Sequence, residues 1–284
     1  MRPDPVALFE AQRPRLLRLA YRMLGSRAEA EDAVQEAWLR WQNADQDAIA
    51  EPAAWLTRVA SRLCLDHMKS ARNRKEIYPG TWLPEPLIEE DDTVREDNLT
   101  LTLMMALERL SPLERAAFLL HDVFGQPLAE VAETIGRTPV ATRQLASRAR
   151  AHVRLDQPRY TVHRETAEEL TRAFFDACRT GEADRLSALL AEDAILYSDG
   201  GGKVFYFPNA IHGSDRLIRL FQDLARKYRT QMEYVAPAMI DGLPGFVSRV
   251  DGPAQTTALE IIGGRIVAIY ITRNPDKLAG LAFQ

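Results

Sequence analysis

Between Val6 and Lys75 apolar residues recur every three or four positions, and no alternating stretch is long enough for a strand, so this part of the chain predicts helices only. Ser26-Arg27-Ala28-Glu29, directly after Gly25, is a capping box that opens a helix reaching about Trp41. On it Ala30, Ala33, Val34, Ala37, Trp38 and Trp41 form an apolar stripe, flanked by Glu29, Asp32, Gln35 and Glu36. A further helix, over about 53–72, turns basic towards its end. Residues 76–98 break the period: Pro79, Gly80, Pro84, Pro86 and the acidic run at 89–92 predict an extended linker. Trp82 and Leu83 add two large apolar side chains that a spacer chosen for length alone does not need.

Helical spacing resumes over 99–155, where Ser111-Pro112-Leu113-Glu114 supplies a cap, a proline at the first helical position and an acid at the third. A short helix over Pro127–Ile135, a turn at Gly136 and a basic helix opened by Thr138-Pro139 together describe a helix-turn-helix. Beyond Pro158 the pattern changes. Helices are predicted over Arg164–Thr180 and Ser214–Arg229, and β-branched or aromatic runs near 194–198, 203–207, 231–240, 245–250, 255–262 and 265–272 predict mostly antiparallel strands. The fold class is therefore multidomain, two all-α parts followed by an α+β part.

The length of 284 residues suits more than one core, and 46% hydrophobic with 27% charged residues excludes wholesale disorder. No apolar run is long enough for a bilayer span, and Met-Arg-Pro-Asp-Pro leads into charged helix; a soluble, cytoplasmic protein is expected, with no membrane contact. Cys64 and Cys178 have no metal or disulfide spacing and are expected as buried, reduced thiols; the histidines have no metal spacing either, so no metal and no cofactor is expected. A net charge of -4 argues against a nucleic-acid binder only until it is divided along the chain. Residues 1–75 carry +3, 76–98 carry -7, 99–155 carry +2 and 156–284 carry -2. Two basic patches, 55–75 and 137–154, thus flank an acidic spacer.

These patches hold the candidate chemistry. In the second helix of the helix-turn-helix, Arg143, Gln144, Ser147 and Arg148 suit base edges and phosphates of a major groove, and Thr138 and Thr142 suit backbone phosphates; an Arg-rich helix on the surface of an ordinary bundle is the alternative. Arg58, Arg62, Asp66, Lys69, Arg72, Asn73 and Arg74 suit a phosphate backbone and opened bases, or equally a solvated helix end. Asp32, Gln35 and Glu36 form a polar face that alone reads as solvated. Tyr197, Asp199, His212 and Asp176 are available for acid/base work in an apolar pocket, but nothing in the spacing brings any two together, and His212 reads as part of a helix start. Gly200-Gly201-Gly202-Lys203 lacks the first glycine and the Ser or Thr of a phosphate loop; it reads as a tight hairpin or an edge that touches the linker.

In this order, Ala30-Glu31-Asp32-Ala33-Val34-Gln35-Glu36-Ala37-Trp38, Trp55-Leu56 leading into the basic helix, the linker, Ser111-Pro112-Leu113-Glu114-Arg115 and the helix-turn-helix resemble extracytoplasmic-function sigma factors, of the group IV, sigma-70 type. Trp82-Leu83-Pro84-Glu85-Pro86, Asp199-Gly200-Gly201-Gly202-Lys203 and Asn274-Pro275-Asp276-Lys277-Leu278 resemble the signature motifs of the SigJ-type subfamily, which carries a C-terminal SnoaL-like domain. The resemblance implies sigma region 2 at 5–75, a linker at 76–98, region 4 at 99–155 and an NTF2/SnoaL-like cone at 165–284. It further implies that Asp32, Gln35 and Glu36 dock on the β′ clamp of core RNA polymerase, that 58–74 engages the -10 element and that 138–150 reads the -35 element of promoter DNA.

The expectation is thus a sigma factor, not an enzyme, whose C-terminal domain regulates it through Trp82, Leu83, Pro84, Asp199, Lys203 and Asn274, Pro275, Asp276, Lys277, Leu278, by packing against the first two domains and setting their separation. A small-molecule ligand in the C-terminal pocket is left open as a further partner. The alternatives are a ketosteroid-isomerase- or cyclase-like enzyme with a DNA-binding appendage, and a ligand-sensing one-component regulator; neither uses the acidic docking face or the second basic patch.

Overall fold

A computed structural model describes residues 4–75, 78–88, 100–154 and 164–281, without the side chains of 71–75, 154, 164 and 165. The chain forms two compact units: Met1–Glu76 with Ala106–Asp156, and Ile77–Met105 with Gln157–Gln284.

In the helical unit, α1 (Pro5–Leu24), α2 (Arg27–Gln42) and α3 (Pro52–Lys75) pack on one another. The caps are those the sequence encodes: Ser26 Oγ accepts from Glu29 N, and Gly25 ends α1 in the left-handed region. The expected stripe of α2 is buried at Ala30, Ala33, Val34, Ala37 and Trp41, while Trp38 packs at 4.8 Å on Phe9. The second helical segment begins within α4 (Leu101–Glu108), whose first five residues belong to the other unit, and holds α5 (Pro112–Phe118) running into a π turn at Leu119–Val123, α6 (Leu128–Ile135) and α7 (Pro139–Arg154). Ser111 and Glu114 close a full capping box on α5. Gly136, at φ 65°, ends α6 in the conformation a glycine adopts at least cost, and this turns the chain into α7.

Both segments share one core, and buried Arg115 joins them: its guanidinium donates to the carbonyls of Met23 (2.8 Å) and Leu107 (2.9 Å) and pairs with Glu108 at 2.7 Å. The four-part reading of the chain treats these segments as separate domains; here they are one packed unit.

The C-terminal unit places α8 (Arg164–Thr180), α9 (Ala183–Leu189) and α10 (Ser214–Tyr228) against a six-stranded sheet. The strands are β1 (Leu190–Asp199), β2 (Ile211–His212), β3 (Met232–Ile240), β4 (Leu243–Val250), β5 (Ala254–Ile262) and β6 (Arg265–Thr272), in the order β2-β1-β6-β5-β4-β3. All pairs are antiparallel except β1 with β6. Phe174, Phe221, Phe246, Leu259 and Ile269 stand in the core between helices and sheet. This mostly antiparallel sheet with helices packed on it is the α+β architecture expected for the C-terminal part.

One expected strand is absent. Residues 203–207 form a turn and loop, because glycines at positive φ precede them and Pro208, lacking an N–H, follows. Their aromatic run marks a wall rather than a strand. Conversely, the two-residue β2, which holds His212 opposite Ile195, was not expected; His212 lies just before α10 and not in it.

Residues 78–88 are extended, as expected, but they are not solvated spacer. They belong to the C-terminal unit, where Leu83, 1% exposed, joins a second core cluster with Leu101, Ile240, Leu243 and Tyr270. Burying a leucine contributes about 1.5–3 kcal/mol towards holding this segment. The acidic run at 89–92 lies outside the described residues.

Candidate nucleic-acid interface and linker junction

Helix α7 is amphipathic. Leu145, Ala146, Ala149 and Val153 are buried, and Val140, Arg143, Gln144 and Ser147 lie exposed at spacings of three and four, one face of a helix. Three of these four are expected site residues. Val140, 62% exposed, was not singled out; an apolar side chain bare on a basic face suits a thymine methyl. Arg148, although exposed, pairs with Glu114 at 3.2 Å, and Arg150 pairs with Asp122 at 2.7 Å. Thr138 is exposed and caps α7, its hydroxyl oxygen accepting from Ala141 N.

Thr142 corrects the sequence reading. It is fully buried and its hydroxyl donates to the Thr138 carbonyl at 3.0 Å, so it has no donor to offer a phosphate. A threonine one turn into a helix reads as surface or core only once the packed face is known.

On α3, Asp66 and Lys69 are exposed and pair with each other at 2.9 Å. Arg58 and Arg62 are engaged by the helix-turn-helix itself. Arg62 donates from Nε to the Thr134 carbonyl (3.1 Å) and from Nη2 to the Glu133 carbonyl (2.9 Å), and Arg58 pairs with the Glu133 carboxylate at 3.3 Å. Arg62 thus caps the C-terminal end of α6, where the helix dipole is negative, and Arg58 pairs with a side chain of the same turn. The side chains of Arg72, Asn73 and Arg74 lie outside the described residues. On α2, Asp32 and Gln35 are exposed and Glu36 pairs with Arg40 at 3.0 Å.

The three motifs of linker, glycine loop and C-terminus meet at one carboxylate. Asp199, fully buried at the end of β1, accepts from Tyr78 Oη (2.5 Å) and Gly201 N (3.0 Å) on Oδ1, and from Leu83 N (2.9 Å) and Lys277 Nζ (2.7 Å) on Oδ2. Lys277 also donates to the Leu83 carbonyl and lies over the rings of Trp82 (4.1 Å) and Tyr78 (5.1 Å). Asn274 caps α11 (Pro275–Leu278) through Asp276 N and donates to Tyr78 Oη at 2.9 Å. Lys203 pairs with Asp276 at 2.5 Å on the surface, Leu278 is buried, Pro84 is buried and Pro275 is exposed. At Gly201, φ 63°, a Cβ would lie 2.5 Å from the Asn274 side chain, so only glycine lets these two segments close.

Tyr78 was missed by the sequence reading, since a tyrosine at a linker's start carries no pattern. Burial pushes its phenol well above the ordinary range, and Asp199 adds to this by accepting its proton in a hydrogen bond.

The four acid/base candidates do not converge. Tyr197 stacks on Tyr270, His212 is exposed, Asp176 pairs with Arg172 and Arg179, and Asp199 is occupied as above. Among the described residues no group of three or more His, Cys, Asp or Glu is placed to hold a metal, and no helix is long and apolar enough to cross a membrane.

Comparison with known proteins agrees with this anatomy. Residues 8–74 match the model for sigma-70 region 2, and residues 100–153 that for sigma-70 region 4. The chain is 40% identical to the ECF RNA polymerase sigma factor SigJ of Mycobacterium tuberculosis, over 97% of this chain and 93% of that protein. It is 34% identical to a probable ECF sigma factor, SigI, of the same species, over 97% and 95% of the two chains. The crystal structure of Mycobacterium tuberculosis SigJ superposes with a TM-score of 0.79 at 35% identity, covering 98% of this chain and all of that one. With both sigma-70 regions in order and a likeness that runs on through the C-terminal cone, this chain belongs to the extracytoplasmic-function family of RNA polymerase sigma factors.

Proposed function

We propose that this sigma factor reads a bipartite promoter and that its C-terminal unit regulates the reading by holding the linker. The exposed face of α7, with Arg143, Gln144 and Ser147, enters the major groove at the -35 element, and the basic face of α3, with Arg58, Arg62, Asp66, Lys69, Arg72, Asn73 and Arg74, takes the opened -10 strand. Asp32, Gln35 and Glu36 dock on the β′ clamp of core RNA polymerase. RNA synthesis belongs to the polymerase, so this chain acts in the cytoplasm without turnover of its own.

The observation that carries the regulatory reading is the convergence of Tyr78, Leu83 and Lys277 on buried Asp199, which fastens the segment between regions 2 and 4 to the C-terminal unit. The bonds of Arg58 and Arg62 to α6 support a second step, since these guanidiniums give up contacts to α6 when they turn to a phosphate. Promoter engagement then requires α3 and α6 to part.

The test is run-off transcription from the gene's own upstream region with core RNA polymerase, comparing the intact chain with Asp32→Arg, Trp82→Ala and a deletion of 274–284. Specific transcripts that vanish with Asp32→Arg and change in amount with the other two variants support the whole reading. Failure of the intact chain to bind core polymerase overturns it. Transcription that responds to Asp32→Arg but is indifferent to both junction variants leaves a sigma factor and removes the regulator.

A further inference from the structure

The core of the C-terminal unit is not solid. A cavity of about 70 Å³ lies between α8, α10 and the sheet, several times the roughly 10–15 Å³ that one water needs. Its walls are largely aromatic, with Phe174, Phe175, Phe221 and Phe246 inside and Phe205, 59% exposed, in the 203–207 loop at its edge.

Several polar groups interrupt this lining, Ser198, Gln255 and Tyr228 among them, and strand alternation gathers three more, Ser248, Thr257 and Arg273. Side chains two apart share a sheet face, so Phe246 and Ser248 on β4, Thr257 on β5, and Ile271 with Arg273 just beyond β6 all line the cavity. The register sets Phe246 opposite Thr257 and Thr257 opposite Ile271; on the neighbouring rung of the same face Ser248 stands opposite Gln255, with Arg273 just past the end of β6 on the far side of β5. Ser248 and Thr257 are 0% and 1% exposed, and their hydroxyl oxygens, together with Arg273 Nε, are buried without a hydrogen-bond partner among the described residues.

Arg273 gives the patch its sign. Its Nη1 and Nη2 donate to the carbonyls of Phe205 (3.1 Å) and Val250 (3.3 Å), both neutral, and no ion pair of this arginine is formed among the described residues. Desolvation draws its pKa down, against the fields of Tyr228 and Asp251. A guanidinium with an unpartnered Nε–H, on the same sheet face as two unpartnered hydroxyls, suits an anion, and the aromatic walls suit an apolar body attached to it.

We propose that this cavity binds a small monocarboxylic acid with an aromatic or branched apolar body, its carboxylate accepting from Arg273 Nε and from the Ser248 and Thr257 hydroxyls. The inference does not depend on how the promoter is read, and its test is a binding measurement.

Titration calorimetry on the full chain, with benzoate and phenylacetate as probes and benzyl alcohol as the neutral counterpart, decides it. Expected is saturable binding of one carboxylate per chain, weakened at least tenfold by Arg273→Gln and at least threefold by the double variant Ser248→Ala/Thr257→Val, while benzyl alcohol binds more weakly and is indifferent to Arg273→Gln. Arg273 also holds two loop carbonyls, so its variant risks local unfolding. The double variant removes only unpartnered hydroxyls and keeps the fold, checked by an unchanged melting curve. Three results overturn the proposal: no saturation with either acid up to about 5 mM, the weak end of specific binding; unaltered affinity in the double variant; or equal affinity for benzyl alcohol and the acids.

Discussion

Lys277 Nζ lies 2.7 Å from a carboxylate oxygen of Asp199, with the lysine side chain 12% exposed and the aspartate fully enclosed. A pair this deep contributes little beyond the cost of desolvating it, but losing one partner leaves a buried charge. Lys277→Met leaves Asp199 with three neutral donors, Tyr78, Gly201 and Leu83. The expected cost is therefore about 3 kcal/mol, the low end for a broken buried pair. Hydrogen exchange would show it as faster exchange at the Leu83 and Leu87 amides, with that of α2 unchanged.

The junction should be insensitive to pH across the neutral range and weaken in strong base. The Tyr78 phenol is held above its ordinary value, chiefly by burial and then by Asp199. A raised folded value stabilises the protonated junction below the unfolded phenol's pKa of about 10 and is lost as pH rises beyond it. Tyr78→Phe should abolish that alkaline limb, read as the pH dependence of the same amide exchange, and cost about 1.5–3 kcal/mol.

On α7, Arg143→Ala and Gln144→Ala should each reduce selectivity for the -35 element by about 1–3 kcal/mol, measured by competition between promoter variants. Thr142→Val should leave selectivity unchanged, since that hydroxyl bonds only its own helix. A loss of selectivity in Thr142→Val would return this residue to the interface.

The capping box of α5 gives a stability test. Although burial opposes it, the Ser111 hydrogen bonds, with Arg148 and His152 nearby, hold Glu114 below the ordinary carboxylate value. Its stabilising effect is present above the unfolded pKa of about 4.3 and fades as pH falls below it. Ser111→Ala should cost about 1 kcal/mol in urea unfolding at neutral pH, and less in acid.

Both thiols should be inert in the native chain. Burial pushes Cys64 up to about 12 and Cys178 well above its usual value. Thiolate is the reacting form, so a disulfide reagent at neutral pH should label neither until denaturant is added. Labelling of Cys178 alone would indicate that its cavity opens to large solutes.

Much of the helical unit was legible in the chain. The caps at Ser26 and Ser111, the left-handed stop at Gly136 and the apolar stripe from Ala30 to Trp41 are signals spread over at most a few turns, and a helix satisfies them locally. On α7 the expected Arg143, Gln144 and Ser147 are exposed, but Thr142, placed with them, is buried. The 203–207 segment misled because aromatic residues serve equally in a strand and in a cavity wall, and local composition does not distinguish the two.

By itself, then, the sequence determined the helices, their caps, the helix-turn-helix and the membership of three separated motifs in one scheme. Only the tertiary structure decided that Thr142 turns inward, that Arg62 caps α6 while Arg58 pairs with Glu133, and that Tyr78 and Asp199, 121 residues apart, form a proton donor and its acceptor. It also decided that the Ser248 and Thr257 hydroxyls and Arg273 Nε stand on one sheet face without hydrogen-bond partners among the described residues. The division has a physical cause. Helix periodicity and capping act between residues three or four apart, whereas burial and hydrogen-bond satisfaction depend on which distant segment covers a face, and chain packing alone sets that.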